Sequence, residues 1–317
     1  MENTTFESAG VRCHAWHFRA ADARLAGPAG RPAVVMAHGF AGTKDSGLES
    51  FARHLAAAGA EVLAFDYRGF GASEGAPRQV ISPSGQLADY RAALDAAARL
   101  PEVDPDRLVL WGVSMAGGTV LEAAAGRDDI AAVIALTPLV SGAAVERPAP
   151  LAAGPVPAAE PGWHRAGTTA RLLLAAARDR RAAAAGRERI TLPAVGEPGE
   201  LALLTLPGAT ADYASIAGPT WRNEVAASIA LDAIRRAPLR AAAEVRCPVL
   251  VQIADYDRYA PPSAAAKAAS RARAQVRHYP CDHFDVYPGK QRHDTIREHQ
   301  ALFLSRVLAP AAASAER

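Results

Sequence analysis

Several short stretches of this chain are apolar at every position, and that leaves few folds open to it. Ala33–Ala37, Val62–Phe65, Leu108–Trp111 and Ile130–Leu136 carry no polar residue. A strand with one wet face alternates. A run that is apolar throughout is what a strand buried on both faces looks like, as in a parallel sheet covered by helices on either side. Helical patterns fill the gaps. Residues 46–59 place Leu48, Phe51, Ala52 and Leu55 at helical spacing and stop at Gly59. Residues 84–100 put Leu87, Tyr90 and Leu94 on one face, and a helix after Trp111 runs through Ala125 to a stop at Gly126. This alternation predicts an α/β fold with a mostly parallel, doubly wound sheet. Ahead of it, residues 4–18 predict two antiparallel strands around Ala9-Gly10.

The rhythm then breaks. Roughly 110 residues, from Thr137 to Cys247, separate two core strands, far more than the usual short connection. This segment has a Pro/Ala-rich entry (147–161), a long Ala/Leu/Arg helix (165–185), a strand-like piece Leu201–Leu206 and a second helix (220–236). It predicts an inserted, mainly helical cap over residues 139–238, with a core made of 1–138 and 239–317. Afterwards the rhythm resumes with a strand at Val249–Ile253, a helix at 263–273, a strand at Gln275–Tyr279 and a closing helix at 293–308.

Composition narrows the function. A formal net charge of +2 gives no reason to expect nucleic acid, and no Lys/Arg cluster is interleaved with aromatics. The run Arg178–Arg181 sits in a helical pattern and reads as a solvated face. Cys13, Cys247 and Cys281 are far apart and odd in number, so neither a disulfide framework nor a zinc site is expected. The N-terminus lacks a basic stretch followed by an apolar run, and no long uninterrupted apolar window occurs. The expectation is a cytoplasmic protein with reduced thiols.

The sharpest local signal is Trp111-Gly112-Val113-Ser114-Met115-Ala116-Gly117-Gly118. A buried strand ends and a helix begins within a few residues, with a serine at the turn. Such a turn strains the backbone at the serine and needs small neighbours. It lifts the hydroxyl above the sheet edge and aims a helix N-terminus at the reacting group. The pattern is G-x-S-x-A followed by Gly117, with alanine in place of the usual last glycine. An ordinary serine N-cap is the bland alternative.

A serine hydroxyl is a weak nucleophile without a base. Of the nine histidines, only His283 lies in a loop directly after the final core strand, at the carboxyl edge where α/β sites form. The acid should follow another strand at that edge. Asp257, four residues before Pro261, competes there with Asp255, and Asp285 is a more distant candidate.

At this point the chain resembles the α/β-hydrolase superfamily, in particular bacterial serine esterases and dienelactone-hydrolase-like or serine-aminopeptidase-like members. His38-Gly39-Phe40 resembles the family's oxyanion loop, and Asp66–Ser73 its D-x-R-G-x-G-x-S turn. Gly112–Gly117 resembles its nucleophile elbow, Asp257 with Pro261 its acid loop, and His283-Phe284 its histidine loop. The chain order Ser, Asp, His is the family's order. The resemblance implies an oxyanion hole made by the backbone N–H groups of Phe40 and Met115. Asp66 and Arg68 read as structural.

The expected chemistry is acyl transfer to Ser114, with His283 as base and Asp257 orienting it, then release of the acyl group by water. An ester-type bond of a small, largely apolar substrate is expected. Thioester, peptide or C–C bond hydrolysis on the same residues, and a non-catalytic ligand-binding role, are the alternatives. An aminopeptidase would need carboxylates near the pocket, and Glu197, Glu200 and Glu224 are available. No metal or organic cofactor is implied. The partner is a small-molecule substrate, not nucleic acid or a membrane, and a homodimer stays open. Trp163, Leu172, Tyr213, Trp221 and Ile229 of the inserted segment suit an apolar pocket. Trp163, Tyr213 and Trp221 are the substrate-pocket candidates, with Trp221 opening the second inserted helix.

Overall fold

The computed structural model of the chain describes residues 1–140, 162–232 and 238–309. β1 (Glu2–Ser8) and β2 (Val11–Phe18) form an antiparallel hairpin. Ala9 and Gly10 close it, both at positive φ (48° and 77°), the backbone shape that matches the natural twist of two strands. There follow β3 (Arg31–Ala37), α1 (Leu48–Ala57), β4 (Glu61–Phe65), α2 (Pro83–Ala97), β5 (Val103–Val113), α3 (Met115–Ala124) and β6 (Ile130–Leu136). The segment after β6 contains α4 (Gly162–Ala184), β7 (Thr191–Leu192), α5 (Ala209–Ala214), β8 (Val225–Ala226), α6 (Ile229–Asp232) and α7 (Pro238–Ala241). β9 (Val249–Ala254), α8 (Pro262–Arg271), β10 (Gln275–Tyr279) and α9 (His293–Val307) complete the described chain.

Among the described residues the main sheet has eight strands in the order β1-β2-β4-β3-β5-β6-β9-β10. β1 and β2 are antiparallel, β2 runs antiparallel to β4, and every later pairing is parallel. The all-apolar runs now have a physical reason. In β5, Leu108 and Leu110 enter one core with Tyr90 and Leu94 of α2 and Val120 and Leu121 of α3. Val109, Trp111 and Val113 enter the opposite core with Phe51 and Leu55 of α1 and Ile296 and Phe303 of α9. Neither face meets water, so neither set can be polar. Polar atoms beside the Trp111 ring pair with one another: Trp111 Nε1 donates to Gln300 (3.0 Å), and Gln300 donates to Gln252 (2.7 Å). None of the described helices is long and apolar enough to cross a membrane. Cys13, Cys247 and Cys281 are free thiols.

Between β6 and β9 the structure departs from the sequence pattern. α4 lies where a long helix was expected, but no helix spans 220–236. Trp221 sits in a turn, its N–H bonded to Gly218 O (3.1 Å). Asn223 clamps the backbone of Val195 through both its amide atoms (2.9 Å each). Val225–Ala226 then pairs antiparallel with Thr191–Leu192, so helical bonding begins only at Ile229. Long-range partners have taken the backbone and side-chain groups that a helix would have used. Leu201–Leu206 is not a strand either: it makes one isolated bridge, Val195 with Leu204. The Pro/Ala-rich entry at 147–161 lies outside the described residues.

One buried charge pair ties the loops at the carboxyl end of the sheet. Asp66, at the end of β4, accepts from the Lys44 backbone N–H (2.7 Å), the Lys44 ammonium (2.5 Å) and the Ala72 N–H (2.9 Å). The Lys44 ammonium also lies 5.0 Å from the centre of the Trp16 ring. Both charged side chains are buried, and Arg68 is held similarly by the buried Asp89 (2.8 Å). Removing one member of a buried pair leaves an uncompensated charge, so Asp66→Ala is expected to lower the unfolding free energy by about 3–5 kcal/mol. Urea denaturation followed by circular dichroism measures this, and a loss under about 1 kcal/mol would place the pair among interactions of merely surface strength.

Candidate active site

Ser114 stands between β5 and α3 with φ 57° and ψ −121°. Positive φ is uncommon for a residue with a side chain, and such a conformation stores about 1–3 kcal/mol that the surroundings must offset. They do so by holding both sides of the residue. The Ser114 N–H donates to Leu136 O (2.9 Å), and Ser114 O accepts from Leu139 N (2.8 Å). The tightness accounts for Gly112: a Cβ there would lie 2.3 Å from Ala116 O. Ala116 itself is buried, so the alanine in the motif fits where the more common glycine would stand. Gly39 comes against the serine from the β3 side. A Cβ on Gly39 would lie 2.8 Å from Ser114 Cβ and 3.3 Å from the Met115 nitrogen. The His38–Phe40 loop therefore approaches Ser114 and the first amide of α3 at backbone distance.

The loops after β9 and β10 meet at the same carboxyl edge of the sheet. His283 Nδ1 is 2.7 Å from Asp257 Oδ2, and both side chains are buried. The other oxygen, Asp257 Oδ1, accepts the N–H groups of Tyr259 (2.8 Å) and Ala260 (2.6 Å), so the carboxylate is held by its own loop. Asp255 points elsewhere and pairs with His278 Nδ1 (2.7 Å). Asp285 accepts the Asp282 N–H (2.9 Å) and caps the short turn that carries His283. Of the three carboxylates weighed from the sequence, Asp257 is the one that meets the imidazole.

Aromatic rings join this pair to the glycine loop. His38 stacks on Tyr287 (5.7 Å), Tyr287 on Phe284 (5.7 Å), and Phe284 lies beside His283. Tyr259 packs against both His283 (5.3 Å) and Phe284 (5.1 Å). The segment between β6 and β9 closes on the same place. Tyr213 of α5 packs on Phe284 (5.1 Å) and Trp221 (6.1 Å), and its hydroxyl donates to Phe40 O (3.3 Å). Asp45 receives the Thr220 N–H (2.9 Å). Trp163 and Leu172 differ in standing: the side chain of Trp163 lies outside the described residues, while Leu172 is half-buried on α4. Ile229 is buried in the core packing.

The sequence profile of the family described as alpha/beta hydrolase fold matches residues 32–290. The chain belongs to the α/β-hydrolase family. It is similar to the quorum-quenching protein AidA of Acinetobacter baumannii, 34% identical over 96% of this chain and 94% of that protein. A shorter match, 40% identical over 36% of each chain, is to the thiohydrolase aneE of Aspergillus aculeatus. Among solved structures, the α/β hydrolase GrgF from Penicillium sp. sh18 superposes with a TM-score of 0.77 at 23% identity, covering 97% of this chain and 99% of that one. Est1E from Butyrivibrio proteoclasticus, solved with ferulic acid, gives 0.63 at 19% identity over 96% and 99%. At those identities the superpositions speak for the fold alone.

As an α/β hydrolase, the protein is a hydrolytic enzyme, and the electrostatics of its carboxyl-edge loops bear on which groups can move a proton. Burial alone would depress the pKa of His283. The charge and hydrogen bond of Asp257, with Asp282 and Asp212 behind it, together outweigh burial and hold it above the ordinary imidazole value. His38 goes the other way: burial pushes it down to about 4, so it stays a neutral packing group. Burial raises the Cys281 thiol to about 12, which keeps it unreactive beside the site. Among the described residues no cluster of three or more His, Cys, Asp or Glu side chains is placed to hold a metal ion. A polar recess lined by His17, Arg31 and Glu61 lies at the opposite, amino end of the parallel strands. There His17 and Glu61 pair at 2.7 Å.

The sequence reading overlooked the groups that surround the pair: Arg258, Tyr259, Asp282, Tyr287 and, in the intervening segment, Asp212. Arg258 and Asp282 were within reach of it, since each is the immediate neighbour of a candidate residue. Asp212 carried no local signal. Because Asp257 raises the His283 pKa, Asp257→Asn is expected to lower it, and any activity needing neutral imidazole should keep its acid limb at lower pH. Asp255→Asn should move neither. The check is an NMR titration of the imidazole beside hydrolysis of a simple ester, where Asp257→Asn should cost about 100- to 10,000-fold in kcat. The reverse ranking of the two variants would move the acid to Asp255.

Proposed function

We propose that the protein is a serine hydrolase that cleaves an ester-type acyl bond of a small, largely apolar substrate. The observation that carries this is the buried Asp257–His283 pair (2.7 Å) on the same sheet edge as a serine held at positive φ. Ser114 Oγ attacks the carbonyl carbon while His283 takes its proton through Nε2. Asp257, bonded to Nδ1, fixes the tautomer and stabilises the imidazolium. The oxyanion is bound by the N–H groups of Phe40 and Met115, the latter at the N-terminus of α3, and a donor of this kind contributes about 100- to 1,000-fold in rate. His283 then hands its proton to the leaving group. A water deprotonated by His283 releases the acid and frees Ser114.

Residues 139–238 act in this reading as a cap on a core of 1–138 and 239–317. Tyr213 packs on both Trp221 and Phe284, and the Tyr213 and Trp221 rings support a mostly apolar wall for the acyl or leaving group, with Trp163 a further candidate for the same wall. The relatives widen the bond types worth testing. A quorum-quenching relative that matches along nearly its whole length favours a small diffusible substrate, including a cyclic ester. The thiohydrolase match supports thioesters as the second reading. Glu224 and Glu200 give less support to an aminopeptidase: Glu224 accepts from Thr191 (2.7 Å) and Glu200 from the Glu197 N–H (2.8 Å) within the segment itself.

Ser114→Ala is expected to fold normally and lose at least about 1,000-fold in turnover, together with labelling by a fluorophosphonate probe. The substrate panel is p-nitrophenyl esters of increasing chain length, a lactone, an acyl thioester and an aminoacyl anilide. Retained ester hydrolysis by Ser114→Ala would sink the serine mechanism. For the cap, Trp221→Ala should change relative kcat/KM across the ester series by about 10-fold while probe labelling persists. An unchanged ranking would remove Trp221 from the specificity wall.

A further inference from the structure

Two neighbouring residues of α5 reach opposite halves of the site. Asp212 Oδ2 accepts from the Arg258 guanidinium (2.9 Å) and from the Tyr259 hydroxyl (2.7 Å). Tyr213 donates to Phe40 O. Arg258 directly follows Asp257 in the chain, and its guanidinium also bonds the carboxylate of Asp282, which directly precedes His283. The Arg258 N–H reaches the same carboxylate (3.0 Å), and Asp282 in turn accepts the His283 N–H (2.7 Å). The acid loop and the histidine loop are thus joined twice, once by Asp257–His283 and once by Arg258–Asp282. The second joint extends to Asp212 and Pro207 O (2.7 Å) of the inserted segment.

The glycine loop has a matching need for support. Ala41 sits at φ 54°, a conformation a non-glycine residue keeps only when its surroundings hold it. Tyr213 holds the carbonyl one residue before it, and the Asp45–Thr220 bond holds the loop four residues after it.

Resting on the serine-hydrolase reading above, we propose that Asp212 and Tyr213 are positioning residues through which the seated cap sets the geometry of both the Asp257–His283 pair and the Phe40 oxyanion donor. The cap then contributes to turnover as well as to substrate choice. Had it only covered the substrate, its contacts would fall on the rim. Instead they fall on Arg258 and Tyr259, which directly follow the acid, and on the carbonyl of Phe40, the residue whose N–H is the oxyanion donor. Displacement of a reacting group by about 1 Å costs on the order of 100-fold in rate, so a clamp on both loops is worth having.

The groups facing His283 are the carboxylates of Asp257, Asp282 and Asp212, the rings of His38 and Tyr259, and the Arg258 cation behind them. Asp212→Asn keeps the shape and one acceptor oxygen but deletes a negative charge, and Tyr213→Phe deletes a single hydroxyl. The test measures kcat, KM and the pH dependence of kcat/KM for the full chain with the best p-nitrophenyl ester, with thermal melting alongside. Asp212→Asn should lower kcat by about 10- to 100-fold with little change in KM, and should move the acid limb to lower pH. Tyr213→Phe should lower kcat by about 10-fold and leave the acid limb in place. A rise in KM with kcat unchanged in both variants would overturn the proposal, and so would an unmoved acid limb in Asp212→Asn. If Asp212→Asn melts below the assay temperature, Tyr213→Phe decides alone, and unchanged kcat overturns it. Ser114→Ala in the same assay separates the two claims. Activity surviving there defeats the serine mechanism, whereas its loss beside unaltered Asp212→Asn and Tyr213→Phe defeats only the positioning role.

Discussion

The strained turn at Ser114 is the constraint on which the other parts of the site depend. A serine at positive φ is unfavourable on its own, and it persists because β5 delivers it from a strand buried on both faces and α3 takes it up at once. Its two flanking peptides are bonded to Leu136 and Leu139, so the strain is held by the sheet and by the chain leaving β6. The same crowding excludes side chains at Gly112 and Gly39. Gly39 brings the β3 loop to within contact of Ser114, and that contact sets where the amides of Phe40 and Met115 lie.

Charge is distributed around this turn in three buried or half-buried groups. Lys44–Asp66 fixes the far end of the glycine loop to the turn after β4. Asp257–His283 joins the loops after β9 and β10. Arg258, with Asp282 and Asp212, joins those loops again and reaches the inserted segment. Each charge in these groups has an opposite charge or several N–H donors against it, which is the condition under which a low-dielectric interior tolerates ions. The imidazole of His38, stacked on Tyr287, is uncharged at neutral pH, its pKa depressed by burial.

The inserted segment is where pattern reading ran out. Its long helix α4 was legible because Ala, Leu and Arg favour helix over many residues. The region 220–236 was not, because Asn223 and the β7–β8 pairing respond to partners some 30 residues away in sequence. In the sequence, residue type marks Tyr213 as a pocket residue, and type together with its place after Gly218-Pro219 marks Trp221. The structure puts them against each other and Tyr213 against Phe284, with Tyr213 buried and holding Phe40.

What the sequence determined by itself follows from local rules. Short runs apolar at every position, set between helical patterns, read as strands covered on both faces, and a serine between a strand and a helix with small neighbours reads as a tight turn. These rules place Ser114, the carboxyl edge of the sheet and the loops carrying Asp257 and His283. The choice of Asp257 over Asp255 needed the tertiary structure, because the two lie two residues apart on one loop. Only the approach of β10 decides which of them faces an imidazole, sending Asp257 to His283 and Asp255 to His278. The clamp of Arg258 on Asp282 and Asp212 was likewise decided in three dimensions. It joins three segments far apart in the chain, and no periodicity or spacing within any one of them encodes that meeting.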